Sequence, residues 1–268
     1  MSNPTNAAEW KMKYDGLLAS FYDADHSWRD YQKQANFVAQ LGFASNAEIL
    51  DMCCGSGSHG IALAQRGLNV LGVDMSVQLL KQARNKMKNL DVPARFHKCN
   101  VFTMSDQVRY CSRFDGVILL GWTICMESVY KRVDDLLRSV CSVLKPGGLF
   151  IFDVPLAIQS PSPKPLEYEA EGMKALLRIR QKANPQERSS TFLYDWNISG
   201  ISEKGPDKKM RLKVQETLCH LQLEDIREQL SKFKQLQPIA WYGDYKLEVP
   251  FHKGHKNLIG VIKNVFSY

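Results

Sequence analysis

No apolar run in the sequence approaches the roughly 20 residues that a membrane-crossing helix requires. No Cys-x-x-Cys pair occurs among the seven cysteines of this 268-residue chain, so we expect neither a zinc site nor a disulfide framework. The first residues are polar, and the charges of Glu9, Lys11 and Lys13 interrupt any secretory signal. We therefore expect an intracellular, cytoplasmic protein with buried free thiols and no membrane partner.

Metal ligands and acidic residues are also scarce. Among six histidines only His252 and His255 are close in sequence, and no third ligand lies nearby, so we expect no metal site. The 28 Asp and Glu residues are outnumbered by 35 Lys and Arg, which gives a net charge of +7. This charge suits an anionic substrate, but it is too common on soluble proteins to predict nucleic-acid binding. The oligomeric state stays open.

What the sequence has in abundance is short apolar segments that alternate with helical patterns. The clearest helix places Val133, Leu137 and Val140 on one face at 3.6-residue spacing. Strands that alternate with helices form a parallel sheet with right-handed crossovers. The predicted fold is therefore α/β, a doubly wound Rossmann-like sheet whose ligands bind at the carboxyl ends of its strands. Its strands are predicted at residues 47–52, 68–73, 94–100, 114–120 and 149–154.

The pattern changes after Val154, where four prolines fall within eleven residues. The apolar and polar residues that follow alternate with a period of two, which predicts antiparallel strands. We expect residues 158–218 to form an antiparallel β insertion, after which residues 219–268 return to the main sheet begun by residues 46–157. Amphipathic stripes in residues 1–45 predict two N-terminal helices packed on that sheet.

The residues that point to chemistry lie where the first strand ends at Asp51 and a glycine turn follows. Gly55 and Gly57 let the backbone approach a ligand closely, and the next helix offers unpaired N–H groups. Nineteen residues past Gly55, Asp74 ends the second strand, where a carboxylate can bind both hydroxyls of a ribose. Together these features predict a bound adenosine cofactor.

Two cofactors fit this turn. Gly55-x-Gly57-x-x-Gly60 followed by Asp74 also satisfies the dinucleotide fingerprint of NAD-binding proteins. Asp51 discriminates between them, because a carboxylate four residues before Gly55 would repel a pyrophosphate. The same carboxylate can pair with the cationic amino-acid end of S-adenosylmethionine. We therefore favour S-adenosylmethionine over NAD.

These residues resemble the first motif of the class I S-adenosylmethionine-dependent methyltransferases, which has the form acidic-x-Gly-x-Gly-x-Gly. Asp51, Gly55 and Gly57 match the motif, whereas Cys53 replaces its first glycine. Residues 70–76 are similar to the second motif. The resemblance implies that Asp74 binds the ribose and that Met75 lies against the adenine. The other cofactor-binding residues that it implies are Asn100, Val101, Leu120 and Tyr22.

The layout is similar to small-molecule methyltransferases, including sugar and amine N-methyltransferases. This resemblance implies that residues 158–218 form a lid and that residues 1–45 cover the active site. Tyr22 is then the first candidate to face the acceptor, and Trp122 is the second. His26 is the third, as a group able to take up a proton near neutral pH. No catalytic residue is predicted, because an aligned amine needs no dedicated base.

The predicted activity is methyl transfer from S-adenosylmethionine to a nitrogen or oxygen of a small-molecule acceptor. Two alternatives stay open, because a fold alone does not separate them. An RNA or protein methyltransferase would use the basic insertion as a docking surface. A non-enzymatic S-adenosylmethionine-binding protein would keep Asp51 and Asp74 but close the cavity beside the methyl group.

Overall fold

The computed structural model describes residues 12–201 and 208–266. The helices are α1 (Tyr22–Asp25), α2 (Tyr31–Ala39), α3 (Ser58–Ala64), α4 (Val77–Met87), α5 (Glu127–Tyr130), α6 (Val133–Val143) and α7 (Leu223–Ser231). The strands are β1 (Glu48–Met52), β2 (Asn69–Asp74), β3 (Ala94–Lys98), β4 (Phe114–Leu119), β5 (Leu144–Pro155), β6 (Leu166–Ala170), β7 (Met173–Asn184), β8 (Ser189–Ile201), β9 (Lys208–Cys219), β10 (Leu236–Tyr242) and β11 (Asn257–Asn264). Within the described ranges, every helix is too short or too polar to span a bilayer.

The chain divides into two compact units, and the larger comprises residues 30–157 and 220–268. It is built on a seven-stranded sheet in the order β10-β11-β5-β4-β1-β2-β3. Strands β1 to β5 run parallel, whereas β11 pairs antiparallel with β5 and β10 with β11. This confirms the predicted doubly wound α/β fold. Because β1 lies between β2 and β4, the residues that follow these three strands share one edge of the sheet.

The core of the larger unit explains why its strands are easy to find in the sequence. Ile49 and Leu50 of β1 and Val117 and Ile118 of β4 have no solvent exposure, as expected of central parallel strands covered on both faces. Strand β5 is longer than the predicted 149–154, since it begins at Leu144. Its first residues pair irregularly with β4, with Gly147 at a φ of 80°. The residues that precede the predicted range thus form a bulge within the strand.

The smaller unit comprises residues 1–29 and 158–219, of which the structure describes 12–29, 158–201 and 208–219. Its antiparallel sheet has the order β6-β7-β8-β9. Leu18 and Phe21, from a 3-10 helix at Leu17–Phe21, lie in one apolar cluster with Leu177 and Trp196.

The prediction that both N-terminal helices pack on the main sheet is therefore wrong for the first of them. The short helical segment at residues 17–25 belongs to the smaller unit, because its buried side chains complete the apolar face of the four-stranded sheet. Residues 1–11 of the predicted N-terminal region lie outside the described residues. The lid role of residues 158–218 and the covering role of residues 1–45 stay predictions.

Candidate functional site

The turn between β1 and α3 has three residues in the left-handed region. Cys53 has a φ of 55°, Gly55 of 54° and Gly57 of 79°. The turn is tied to the sheet by the Cys54 N–H, which donates to the Val73 carbonyl at 3.0 Å. Cys53, which replaces the glycine of the family motif, therefore adopts a conformation that glycine adopts without strain.

Gly57 is required for a reason that the sequence did not reveal. A Cβ on Gly57 would lie 2.7 Å from Cζ of Phe96 and 2.8 Å from Cβ of Ala83. The space that a side chain at position 57 would need is thus occupied by Phe96 of β3 and Ala83 of α4. Phe96 itself is buried. Gly57 allows the turn to pack against its own sheet, whereas the sequence pattern predicted that both glycines serve the close approach of a ligand.

Asp74, at the end of β2, is half-buried and bound to the glycine turn. Its Oδ2 accepts the Gly55 N–H at 2.9 Å and its Oδ1 accepts the Ser76 N–H at 2.8 Å. A carboxylate can accept about four hydrogen bonds, so two backbone donors are compatible with further bonds to a diol. The position fits the ribose-binding role that the motif implies.

Asp51, at the neighbouring end of β1, is only 2% exposed. No hydrogen-bond partner lies near its Oδ2 among the described residues. Burial raises the pKa of Asp51 to about 8, the negative charge of Asp74 adds to the rise, and the Gly60 amide opposes it. An orphaned carboxylate oxygen is costly to bury, and a cationic ligand group would satisfy it. Asp51 therefore fits the ammonium group of S-adenosylmethionine.

The two thiols of the turn are poor nucleophiles. Burial raises the pKa of both Cys53 and Cys54 well above the ordinary thiol value, and the negative charges of Asp74 and Asp51 raise it further. Since the thiolate is the reactive form, both side chains stay protonated and inert near neutral pH.

The residues predicted to contact the adenine follow β2 and β3. Met75 is 41% exposed, which suits a side chain that covers a flat ligand, and Val101 is buried. Asn100 precedes the 3-10 helix at Val101–Asp106, and its amide oxygen accepts the Phe102 N–H at 3.0 Å. The adenine-binding roles of these three residues stay predictions.

The loop after β4 lies beside the glycine turn, because β4 pairs with β1. Leu120 is buried, whereas Gly121 and Trp122 have φ values of 84° and 64°. The Trp122 N–H donates to Asp153 Oδ1 at 2.9 Å, and the Tyr245 hydroxyl donates to Oδ2 of the same aspartate at 2.6 Å. A bulky residue in the left-handed region is an outlier that often marks a functional site.

Several residues at this edge were not predicted from the sequence. Lys86 of α4 donates to the hydroxyls of Ser56 and Ser58, at 2.9 and 3.2 Å, and braces the glycine turn. Asp153 had a usable signal, since it is a carboxylate within the apolar strand at 149–154. Lys86 and Ser56 had none, because a lysine on a helix and a serine in a turn are ordinary.

The remaining predicted acceptor residues lie in the smaller unit. The rings of Tyr22 and His26 stack with centroids 4.2 Å apart, and His26 Nδ1 lies 2.8 Å from the Tyr22 carbonyl oxygen. Burial and the Arg29 charge lower the pKa of His26 to about 4. The expectation that His26 takes up a proton near neutral pH is therefore wrong, because burial penalises the charged ring.

A buried polar cluster in the smaller unit was also missed. The Lys13 ammonium donates to Glu216 at 2.9 Å, and the Tyr14 hydroxyl donates to the same carboxylate at 2.6 Å. Lys13 also lies 4.4 Å from the ring centroid of Tyr194. Although burial opposes it, the Lys13 charge holds the pKa of Glu216 below its usual value. The pair thus stays ionised, and it fixes β9 to the N-terminal segment.

In the described part of the chain, no three His, Cys, Asp or Glu side chains lie close enough together to hold a metal ion. The rings of His252 and His255 are 3.7 Å apart between centroids, and His255 Nδ1 accepts the His252 N–H at 3.0 Å. A tilted ring contact and this hydrogen bond therefore account for the proximity of the two histidines.

Comparison with known proteins gives a consistent result. Residues 49–148 match the methyltransferase domain family. The putative methyltransferase YqeM of Bacillus subtilis is 30% identical over 143 residues, which are 53% of this chain and 56% of that protein. A ubiquinone biosynthesis O-methyltransferase of Alkalilimnicola ehrlichii is 27% identical over 68% of this chain and 74% of its own length. The chain thus spans little more than half the length of the first relative.

Solved structures extend the similarity to both units. An S-adenosylmethionine-dependent methyltransferase from Clostridium acetobutylicum superposes with a TM-score of 0.67 at 17% identity, over 91% of this chain and 95% of that one. CalS10, an amino pentose methyltransferase from Micromonospora echinaspora solved with S-adenosylmethionine bound, gives 0.64 at 17% identity, over 91% and 96%. At this identity the superpositions establish the fold alone.

Proposed function

We propose that the chain, as a class I S-adenosylmethionine-dependent methyltransferase, transfers a methyl group from this cofactor to a nitrogen or oxygen of a small-molecule acceptor. Bound S-adenosylmethionine supplies an electrophilic methyl group on a sulfonium that leaves as a neutral thioether. The protein supplies binding, alignment and exclusion of water.

In this proposal two carboxylates hold the two polar ends of the cofactor. Asp51 accepts hydrogen bonds from the ammonium group through its orphaned Oδ2, and Asp74 binds the ribose hydroxyls. Asp74 also keeps the Gly55 N–H in place through the 2.9 Å bond, so the ribose site and the glycine turn are formed together. Met75, Asn100 and Val101 line the adenine end, and Leu120, which follows β4, borders the cofactor on the other side of β1.

The observation that carries the proposal is the loop after β4. Trp122 stands at the carboxyl edge one strand away from the glycine turn, in a left-handed conformation, and its N–H donates to Asp153 of β5. An aromatic face held at this edge suits an apolar or cationic acceptor beside the methyl group. Tyr22 is proposed as the second residue to face the acceptor. Because its pKa is lowered to about 4, His26 packs against Tyr22 as a neutral ring at pH 7.

The proposed acceptor class draws support from what the similar proteins are named for. The Alkalilimnicola relative acts in ubiquinone biosynthesis as an O-methyltransferase, and CalS10 is an amino pentose methyltransferase. KedS8 from Streptoalloteichus, a sugar N-methyltransferase with a TM-score of 0.63 at 19% identity, matches 90% of this chain. These proteins act on small molecules, through oxygen in one case and nitrogen in another.

One observation favours the alternative of a macromolecular substrate. Arg178 and Arg180 are exposed on the outer face of β7, and Arg211 and Lys213 lie on the same face of β9. Asp195, between them on β8, is paired with Arg211. The face is therefore basic, as a surface that docks RNA or an acidic protein would be.

Isotope labelling distinguishes a small-molecule acceptor from a macromolecular one. The protein is incubated with methyl-tritiated S-adenosylmethionine in a cell extract, and the products are separated by size. We expect label in the small-molecule fraction. The Asp74→Ala variant in the same extract should lose that label, which controls for other methyltransferases. Label that depends on Asp74 but travels with RNA or protein would overturn the proposed acceptor class.

A further inference from the structure

Asp153 is buried at the carboxyl end of β5 and belongs to neither cofactor-binding motif. We propose that Asp153 is a positioning residue, which holds Trp122 in its left-handed conformation and thereby sets the wall of the acceptor site. The role of Trp122 as that wall rests on the proposed function. The structural part, that Asp153 fixes the Trp122 backbone, does not depend on it.

The geometry places Asp153 between two loops. Strand β5 lies next to β4, with Phe152 opposite Leu119, so Asp153 stands directly beside the loop that leaves β4. Its side chain is 2% exposed. One carboxylate oxygen accepts the Trp122 N–H at 2.9 Å, and the other accepts the Tyr245 hydroxyl proton at 2.6 Å. Hydrogen bonds to a buried charged acceptor are stronger than those between neutral groups.

The loop after β4 needs such an acceptor. Gly121 has a φ of 84°, which glycine tolerates, but Trp122 follows at 64°. A tryptophan in this region is strained, and strained residues persist only where the surroundings hold them. The bond to Asp153 constrains the Trp122 amide, which orients the backbone from which the indole projects.

The second bond joins this loop to the segment between β10 and β11. Tyr245 packs its ring edge-on against Phe37 of α2, with centroids 5.7 Å apart. Its neighbour Asp244 accepts both a bond from the Tyr245 N–H and two bonds from Lys33 Nζ, each 2.7 Å long. Asp153 therefore links the Trp122 loop to an anchor on a helix, and a change at Asp153 should be felt at Trp122.

The first test measures the exchange of the Trp122 amide hydrogen by NMR in the full-length protein. Asp153→Asn weakens the acceptor, so we expect about 10- to 100-fold faster exchange at this amide, by the usual strength of bonds to charged groups. Tyr245→Phe removes only the second bond and should give a smaller increase, which keeps the test valid if Asp153→Asn folds poorly. Unchanged exchange at Trp122 in both folded variants would overturn the proposal.

Asp115→Asn is the matched control. Asp115 also binds two donors, the Glu48 N–H at 2.8 Å and Lys145 Nζ at 2.9 Å, but it lies at the opposite edge of the sheet. This variant should leave Trp122 exchange at the wild-type rate. Faster exchange of the Trp122 amide in Asp115→Asn would mean that loss of any such carboxylate loosens the loop, and it would contradict a specific role for Asp153.

The second test asks whether positioning matters for transfer. In the labelled extract, Asp153→Asn should lower transfer while the Kd for S-adenosylmethionine changes less than about 3-fold, as for sites outside the binding contacts. A double variant with Asp153→Asn and Trp122→Ala should lose no more transfer than Trp122→Ala alone, because both substitutions act through the Trp122 side chain. Additive losses would contradict the role in catalysis. An extract that gives no label with the wild-type protein refutes the proposed function, and the amide exchange then still decides the structural role.

Discussion

Two aspartates that end neighbouring strands have opposite environments. Asp74 is half-buried and accepts two backbone N–H groups, whereas Asp51 is 2% exposed with an oxygen that no described donor satisfies. Solvation and hydrogen bonding, more than residue type, thus separate their chemistry. The identity of both residues could be predicted from the motif, but the raised pKa of Asp51 depends on burial that only the fold defines.

Asp51 should make the stability of the cofactor-free protein depend on pH. Its folded-state pKa of about 8 lies above the ordinary value of 3.8, so between these values the folded state binds more protons than the unfolded state. Stability must then fall as pH rises through this window. Relative to Asp51→Asn, which carries no charge, the wild-type protein should lose stability from about pH 4 to about pH 8 and level off above that. Urea unfolding of both proteins at several pH values measures this; a constant difference would contradict the raised pKa.

Cys53 occupies a position that favours glycine. At a φ of 55° a side chain costs about 1–2 kcal/mol, whereas glycine costs about 0.5–1 kcal/mol in chain entropy. We therefore expect Cys53→Gly to leave the free energy of unfolding unchanged or to raise it by up to about 1 kcal/mol, with cofactor affinity within a few-fold. Thermal unfolding and calorimetry check this. A clear loss of stability would show that the thiol makes packing contacts worth more than the strain.

At the scale of elements, the strands of the main sheet could be predicted because their apolar residues are buried on both faces. The observed β1, β2, β3 and β4 differ from the predicted ranges by at most two residues at either end. The start of β5 could not be predicted, because Pro146 and Gly147 are typical of a turn, and only the pairing of Leu144 and Leu149 on either side of them with β4 keeps them in the strand. The left-handed Trp122 was equally unpredictable, since nothing local favours it.

The turn between β1 and α3 should depend on Gly57 for packing. In Gly57→Ala the new Cβ meets Phe96 and Ala83 below 3.0 Å and adopts a positive φ. Left-handed strain and overpacking together should cost about 2–4 kcal/mol in the free energy of unfolding. Gly67→Ala is the matched control, because Gly67 has a φ of 82° but open space around it, and it should cost about 1–2 kcal/mol. Equal costs in urea unfolding would refute the packing role.

At the scale of the whole molecule, the chain forms two units with separate apolar cores. The cofactor residues Asp51 and Asp74 belong to the larger unit, whereas the core around Trp196 belongs to the smaller one. The sequence predicted the antiparallel insertion, because its strands alternate strictly. The sequence did not predict that residues 17–25 complete the core of this insertion. An amphipathic stripe alone does not reveal which sheet the helix packs on.

The separation of the cores makes the lid role testable. Trp196 is 4% exposed, so Trp196→Ala should destabilise the smaller unit by about 3–5 kcal/mol. We expect it to reduce methyl transfer strongly while cofactor affinity changes only a few-fold. Trp28→Ala is the control in the same unit, because the Trp28 side chain is 59% exposed. This variant should preserve both methyl transfer and cofactor affinity. Full transfer by a Trp196→Ala protein whose small sheet has lost its protection from hydrogen exchange would contradict the lid role.

The central claim is that the edge formed by β1 and β2 binds S-adenosylmethionine through Asp51 and Asp74. Isothermal titration calorimetry of the full chain with S-adenosylmethionine, S-adenosylhomocysteine and NADH tests it most directly. We predict stoichiometric binding of the first two and none of NADH. Asp74→Ala should lose about 1.5–3 kcal/mol of binding free energy, because it removes charge-assisted bonds to the ribose. Unchanged binding of S-adenosylmethionine by Asp74→Ala, together with tight binding of NADH, would contradict the account.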